Sequence, residues 1–98
     1  MKVLIVENEV YLAQSIANKL SEHGFVCELA AGAKDAIKDE FFDAILLSTS
    51  MGGQNFMPII ERYKKSIIIL MVSYINNDTV SIPLKAGAKD YILKPFMI

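Results

Sequence analysis

The sequence predicts an α/β domain built on a parallel β-sheet, and three observations support this fold class. Short apolar runs recur along the chain, and segments with helical spacing of apolar residues lie between them. The runs are apolar throughout rather than alternating, as in strands that are buried on both faces of a sheet. The chain has 98 residues, which is the size of a single small domain. We therefore expect right-handed β-α-β crossovers within one domain that spans residues 1–98.

Five strands are predicted from apolar runs that end at polar or glycine residues. The first four lie at residues 3–6, 25–29, 44–47 and 67–72, and the fifth lies within residues 88–93, around Tyr91-Ile92-Leu93. The run at 67–72 contains six consecutive apolar residues, whereas a membrane-spanning helix needs about 20. The second strand contains Cys27, which we interpret as a buried and inert thiol rather than a redox sensor.

The first two helices are predicted from apolar spacing. Apolar residues between Leu12 and Leu20 form one stripe at helical intervals, and Gly24 is the predicted end of this helix. A second helix is predicted at residues 33–42. Its predicted inward-facing residues are Ala36, Ile37, Phe41 and Phe42.

The last two helices are predicted from proline and capping residues. A third helix at residues 56–64 has Pro58 in its first turn, where a missing N–H is tolerated. Asn77 or Asp78 can cap a fourth helix. Pro83 lies inside that helix and is expected to shorten or kink it.

Composition excludes several classes of protein. The chain has 10 basic and 11 acidic residues and no basic run, so we expect no direct binding to nucleic acid by these residues. One cysteine and one histidine exclude a disulfide framework and a Cys/His zinc site. An acid at position 7 comes too early for a signal peptide, so we expect a soluble domain in the cytoplasm. Apolar residues make up 53% of the chain, which indicates either an unusually large core or an apolar surface for a partner.

Polar residues at the strand ends are the candidate site. In open parallel sheets, sites lie at the carboxyl ends of the strands. This rule selects Glu7 and Asn8 after the first strand and Ser48 after the third. It also selects Ser73 after the fourth strand and Lys94 after the fifth.

Three motifs at these positions resemble the receiver domain of response regulators, the CheY-like fold. They are Val-Leu-Ile-Val-Glu-Asn-Glu at 3–9, Phe-Asp-Ala-Ile-Leu-Leu-Ser at 42–48 and Gly-Ala-Lys-Asp-Tyr-Ile-Leu-Lys-Pro-Phe at 87–96. The resemblance covers the whole chain. It implies a five-stranded parallel sheet in the order 2-1-3-4-5 flanked by helices, a non-enzymatic regulatory role in two-component (phosphorelay) signal transduction, and a cis Lys94–Pro95 bond.

The chain departs from the family pattern at the site. Ser48 occupies the position of the phosphoacceptor aspartate, and Asn8 occupies that of a second acid. Val72 stands where the family has a switch threonine or serine, although Ser73 follows it. We therefore expect an atypical receiver without aspartyl phosphorylation and with weak or absent Mg²⁺ binding. In this receiver, Glu7 is expected to pair with Lys94.

Tyr91 occupies the position of the family's switch aromatic, and the alternative interpretation is a half-buried strand tyrosine with a hydrated hydroxyl. The family dimerises through its fourth helix and fifth strand, which implies a homodimer. The implied dimer surface contains Val80, Ile82, Leu84 and Tyr91.

The family also continues past the Lys-Pro-Phe motif into a fifth helix, whereas only two residues follow the motif in this sequence. We therefore expect an N-terminal fragment of a longer regulator whose effector domain binds DNA, and an exposed apolar area near strands three to five. The alternative is a stand-alone interaction adaptor with the same fold. An enzyme or ligand-binding domain of flavodoxin type is disfavoured, because no glycine-rich loop follows the first strand.

Overall fold

A computed structural model of the chain describes residues 1–49 and 56–94. These residues form one five-stranded parallel sheet in the order β2-β1-β3-β4-β5, as predicted. The strands are Lys2–Val6 (β1), Val26–Ala30 (β2), Ala44–Ser48 (β3), Ile67–Val72 (β4) and Asp90–Leu93 (β5). The helices are Val10–Glu22 (α1), Ala33–Ala36 (α2), Met57–Arg62 (α3) and Ile82–Ala86 (α4). A π-helical turn, Asn77–Ser81, leads directly into α4 and is called the π segment below.

The core has two layers, one on each face of the sheet. Alternate residues of β1 divide between them, since Leu4 packs with α2, α3 and the π segment while Ile5 packs with α1. The central strands are therefore apolar on both faces, which explains why the sequence shows continuous apolar runs instead of alternation. On the α1 side, Ile67 and Ile92 of β4 and β5 are exposed.

The first helix is as predicted. Ala13, Ile16 and Ala17 are buried against the sheet, and Leu12 and Leu20 pack at the edge of the same layer. The chain then leaves the helix through Gly24, whose φ of +87° is a conformation that other residues rarely adopt.

The second helix is much shorter than predicted. It ends at Ala36, and Ile37 and Phe41, which were predicted to face inward, are exposed. The cause is a long-range contact: the Tyr63 hydroxyl donates to the Ala36 carbonyl at 2.6 Å and accepts from the Lys38 N–H at 3.0 Å. Tyr63 thus satisfies backbone groups at the point where the helix ends, so the chain can turn away into an extended conformation.

The fourth helix starts differently from the prediction. The cap is Asn76, not Asn77 or Asp78, because the Asn76 side chain accepts a hydrogen bond from the Thr79 N–H at 2.9 Å. Pro83 does shorten the α-helix, which runs for five residues after the π segment.

The implied dimer surface needs one correction. Val80 is buried, with 6% of its surface exposed, because the π segment directs this side chain into the core instead of towards solvent. Leu84 and Tyr91 are half-buried against the same layer, and Ile82 is exposed. Among the described residues, no helix has the length and apolar character that crossing a membrane requires.

Candidate functional site

Lys94 lies at the centre of the site at the carboxyl edge of the sheet. Its Nζ donates to Glu7 Oε1 at 2.7 Å and to Ser48 Oγ at 2.8 Å. The three side chains come from the ends of β5, β1 and β3, which are far apart in sequence and meet because all five strands run parallel. The structure thus brings together three of the residues that the sequence selected.

Both carboxylate oxygens of Glu7 accept hydrogen bonds from within the protein. Its side chain is 1% exposed, and its second oxygen accepts a hydrogen bond from the Glu9 N–H at 2.9 Å. Lys94 is 11% exposed and is held by its own N–H, which donates to the Val72 carbonyl at 2.6 Å. The pair is therefore a buried ion pair with additional hydrogen bonds, the arrangement in which a buried charge is tolerated.

Ser48 is fully buried and lies opposite Met71 in the β3–β4 register. Its hydroxyl oxygen accepts from Lys94, and an ammonium has three donors and no lone pair with which to act as a base. The contact therefore holds Ser48 as a neutral hydroxyl and does not activate it as a nucleophile.

The other predicted site residues lie around this centre, and Val72 is bonded to Lys94 through the backbone. Asn8 and Ser73 are exposed, Val72 is fully buried in the core, and Tyr91 is half-buried against it. Pro95 lies outside the described residues, as does the predicted cis bond that precedes it.

Glu7 is the carboxylate that contacts Lys94 at this site, so its bonding bears on whether a divalent cation could be held here. Mg²⁺ prefers several hard oxygen ligands and usually one or two free carboxylates. Here Glu7 contributes a carboxylate whose two oxygens are already bonded to Lys94 and Glu9. Within residues 1–49 and 56–94, no three His, Cys, Asp or Glu side chains are grouped closely enough to hold a metal ion.

Cys27 lies apart from the site, in β2. Its side chain is half-buried, and partial burial raises the pKa of its thiol although a hydrogen bond with Ser21 acts in the opposite direction. A raised pKa disfavours the reactive thiolate. The side chain is half-buried and not buried as predicted, and the inertness of the thiol stays a prediction.

Sequence reasoning did not select Thr49, the residue after Ser48. Its hydroxyl donates to the Thr79 carbonyl in the π segment at 2.7 Å. In the sequence, Thr49 could be singled out only by its position directly after a predicted site residue. Its hydrogen-bond partner lies 30 residues away and is brought near by the fold.

A five-stranded parallel sheet in this order, with a lysine and an acid meeting at the carboxyl ends of the strands, defines a receiver-like signalling domain. The family model for the response regulator receiver domain matches residues 3–98, so the chain belongs to this family. Receiver domains are modules of two-component transcription regulation, and they are in general non-enzymatic signalling modules.

Two curated relatives are named as regulatory proteins. The chain is 30% identical to the transcriptional regulatory protein PmrA of Pectobacterium parmentieri, covering 100% of the chain and 47% of the relative. It is 31% identical to the two-component response regulator PhoP of Pseudomonas aeruginosa, covering 98% of the chain and 46% of the relative. The chain thus spans about half the length of the curated relatives it matches.

Solved structures agree with the fold. A CheY-like receiver domain protein from Methanospirillum hungatei superimposes with a TM-score of 0.86 at 26% identity, over 98% of this chain and 82% of that one. A response regulator from Burkholderia pseudomallei with a phosphorylated aspartic acid superimposes with a TM-score of 0.86 at 21% identity, over 98% of this chain and 61% of that one. The second likeness supports the fold alone.

Proposed function

We propose that this chain is an atypical, phosphorylation-independent receiver domain that regulates transcription through a fixed conformation. The observation that carries the proposal is the buried contact of Lys94 with Glu7 and Ser48. In place of a free aspartate facing a cation, the site holds a neutral hydroxyl beside a cation that is already paired.

The chemistry of phosphoryl acceptance supports this assignment. A carboxylate can attack phosphorus directly because it is anionic at neutral pH, whereas a serine hydroxyl requires a base. Lys94, as an ammonium bonded to Glu7, supplies no base to Ser48. Ser48 is also fully buried, so a phosphodonor does not reach it without opening the site.

We further propose that the domain binds Mg²⁺ weakly or not at all. A cation at this edge would have to displace Lys94 from Glu7 and would gain one carboxylate from doing so. Separating a buried pair in this way leaves Lys94 with an uncompensated charge, which is strongly unfavourable.

The rest of the regulator is inferred from the relatives. Because two relatives of about twice the length are named as a transcriptional regulatory protein and a two-component response regulator, we infer that residues 1–98 are the N-terminal part of a cytoplasmic regulator with a DNA-binding effector domain in cis. The near-neutral charge of this chain supports the assignment of DNA binding to that other domain.

Dimerisation is proposed through the face of α4 and β5. Ile82 is 46% exposed, Leu84 and Tyr91 are half-buried, and the buried Val80 does not belong to this surface. Sedimentation at tens of micromolar tests this: a dimer that Ile82→Lys converts to monomer is expected, and a clean monomer for the unaltered chain contradicts it.

Reaction with a small phosphodonor tests the central proposal. The unaltered chain is incubated with acetyl phosphate and Mg²⁺ and its intact mass is measured; we expect no added phosphoryl group. The matched variant Ser48→Asp with Asn8→Asp restores both acids and is expected to gain an acid-labile phosphoryl group. Stoichiometric, acid-labile phosphorylation of the unaltered chain would overturn the proposal.

A further inference from the structure

The hydroxyl of Thr49 crosses from the end of β3 to the π segment. Thr49 is 8% exposed, its N–H donates to the Met71 carbonyl at 3.2 Å, and its hydroxyl donates to the Thr79 carbonyl at 2.7 Å. The residue is therefore held by β4 through its backbone and is bonded to the π segment through its side chain.

Thr79 is the buried centre of a local network. It is 2% exposed, and its N–H donates to the Asn76 side chain at 2.9 Å. Its hydroxyl accepts from the Asn76 N–H at 3.1 Å and donates to the Tyr74 carbonyl at 2.8 Å. A hydrogen bond to Thr79 therefore also restrains the turn formed by residues 74–79.

Pro83 explains why the Thr79 carbonyl accepts a hydrogen bond from a side chain. In an α-helix the carbonyl of residue 79 accepts from the N–H of residue 83, but proline has no N–H. The proline ring also clashes with the carbonyl of the residue four positions earlier, which is Thr79. The chain widens into a π turn before α4, and the Thr49 hydroxyl supplies a donor to this carbonyl.

We propose that Thr49 is a positioning residue that links the Ser48 site to α4 by bonding the carbonyl that Pro83 cannot bond. This inference rests on the proposed function, because the conformation that it holds is the fixed one described above. Val72, at the end of β4, has no hydroxyl with which to make such a link. The exposed Ile82 follows the π segment directly, so the link sets the orientation of the proposed dimer face.

Amide hydrogen exchange of the whole chain tests the link. Thr49→Val keeps the shape of the side chain and removes the donor, whereas Thr49→Ser keeps the donor. We expect Thr49→Val to speed exchange in residues 77–84 by about three- to tenfold, the range for one buried hydrogen bond. Thr49→Ser is expected to exchange like the unaltered chain, and α1 amides are expected to be unchanged in both.

Two outcomes overturn the proposal. Equal exchange in Thr49→Val and Thr49→Ser would show that the hydroxyl has no positioning role. An equal acceleration in α1 and in residues 77–84 would show that the substitution lowers global stability instead. Far-UV circular dichroism establishes that each variant is folded. If Thr49→Val does not fold, Thr49→Ala removes the same donor with a smaller side chain and takes its place.

A double-mutant cycle with Pro83→Ala isolates the physical cause. Alanine at position 83 restores an N–H that can bond the Thr79 carbonyl, so Thr49→Val should change exchange less in that background. The same acceleration with and without Pro83→Ala would overturn the assigned role of the proline. The phosphodonor experiment is independent: phosphorylation of the unaltered chain would remove the proposed function and leave the exchange result standing.

Discussion

Lys94 and Glu7 form a buried ion pair, and its loss affects the free energy of unfolding more than the loss of an exposed pair does. Exposed pairs contribute about 0–1 kcal/mol, because water solvates each partner when the contact is lost. Here the carboxylate is 1% exposed and the ammonium 11%, so each depends on the other for its compensation. Removing one partner therefore leaves a charge in a site where water does not replace the contact.

The first prediction is that Lys94→Met lowers the free energy of unfolding by about 3–5 kcal/mol, the cost of leaving a buried carboxylate unpaired. Urea unfolding measures it. Adding Glu7→Gln to Lys94→Met is expected to recover part of the loss, because it removes the unpaired charge. A loss below about 1 kcal/mol for Lys94→Met would mean that water compensates Glu7 as it does at an exposed pair.

At the scale of elements, Tyr63 determines where α2 ends. Its hydroxyl bonds both the Ala36 carbonyl and the Lys38 N–H, and its ring packs edge-on against Phe42 at 5.8 Å between centroids. One side chain of the α3 end thus fixes the course of the chain from α2 into β3.

The second prediction concerns this hydroxyl. Tyr63→Phe keeps the ring packing and leaves the Ala36 carbonyl without its donor, so the free energy of unfolding should fall by about 1–3 kcal/mol. Urea unfolding of Tyr11→Phe serves as the matched control, because Tyr11 is 87% exposed and its change should have little effect. Equal results for the two variants would contradict the role assigned to Tyr63.

The third prediction concerns the start of the π segment. Asn76→Ala removes the side-chain cap on the Thr79 N–H and should cost about 1 kcal/mol of unfolding free energy. The neighbouring Asn77→Ala, measured in the same thermal and urea unfolding experiments, should cost less than half as much. A larger loss at Asn77 would show that the cap lies one residue later, as the sequence alone suggested.

The sheet could be predicted from the sequence because burial on both faces leaves a local signal, the continuous apolar run at 67–72 being the clearest. The site residues Glu7, Ser48 and Lys94 could also be predicted, since parallel strands bring their carboxyl ends together. The early end of α2 and the burial of Val80 could not. They depend on the Tyr63 hydroxyl and on the π segment, which are tertiary contacts without a local pattern.

At the scale of the whole molecule, the two ends of the sheet carry different electrostatics. The carboxyl end holds the buried pair described above, whereas the opposite end carries a half-buried network centred on Lys2. Lys2 contacts Glu40 and lies 3.2 Å from Glu28, which in turn lies 3.5 Å from Lys38. The network ties β1 and β2 to the segment after α2, so it spans elements that are distant in sequence.

The fourth prediction is a pH window set by this network. The hydrogen bond with Glu40 is the main cause that raises the pKa of Lys2 above 10.5, so its contribution is present at neutral pH and is lost as pH rises through the folded pKa. Partial burial acts to raise the pKa of Glu28, but contacts with Lys2, Glu40 and Lys38 outweigh it and hold that pKa below 4.5. The stabilisation from Glu28 is therefore present above 4.5 and is lost as pH falls through the folded pKa.

Glu28→Gln should accordingly flatten the loss of stability on the acid side, seen as a smaller drop in urea midpoint between neutral pH and pH below 4.5. Glu22→Gln is the matched control, because the Glu22–Lys19 pair is exposed and spans 3.7 Å within one helix. Added salt should reduce the difference in urea midpoint between the unaltered chain and Glu28→Gln, since the side chains of Lys2 and Glu28 both reach solvent. An acid-side drop of the same size in Glu28→Gln and in the unaltered chain would contradict the role assigned to Glu28.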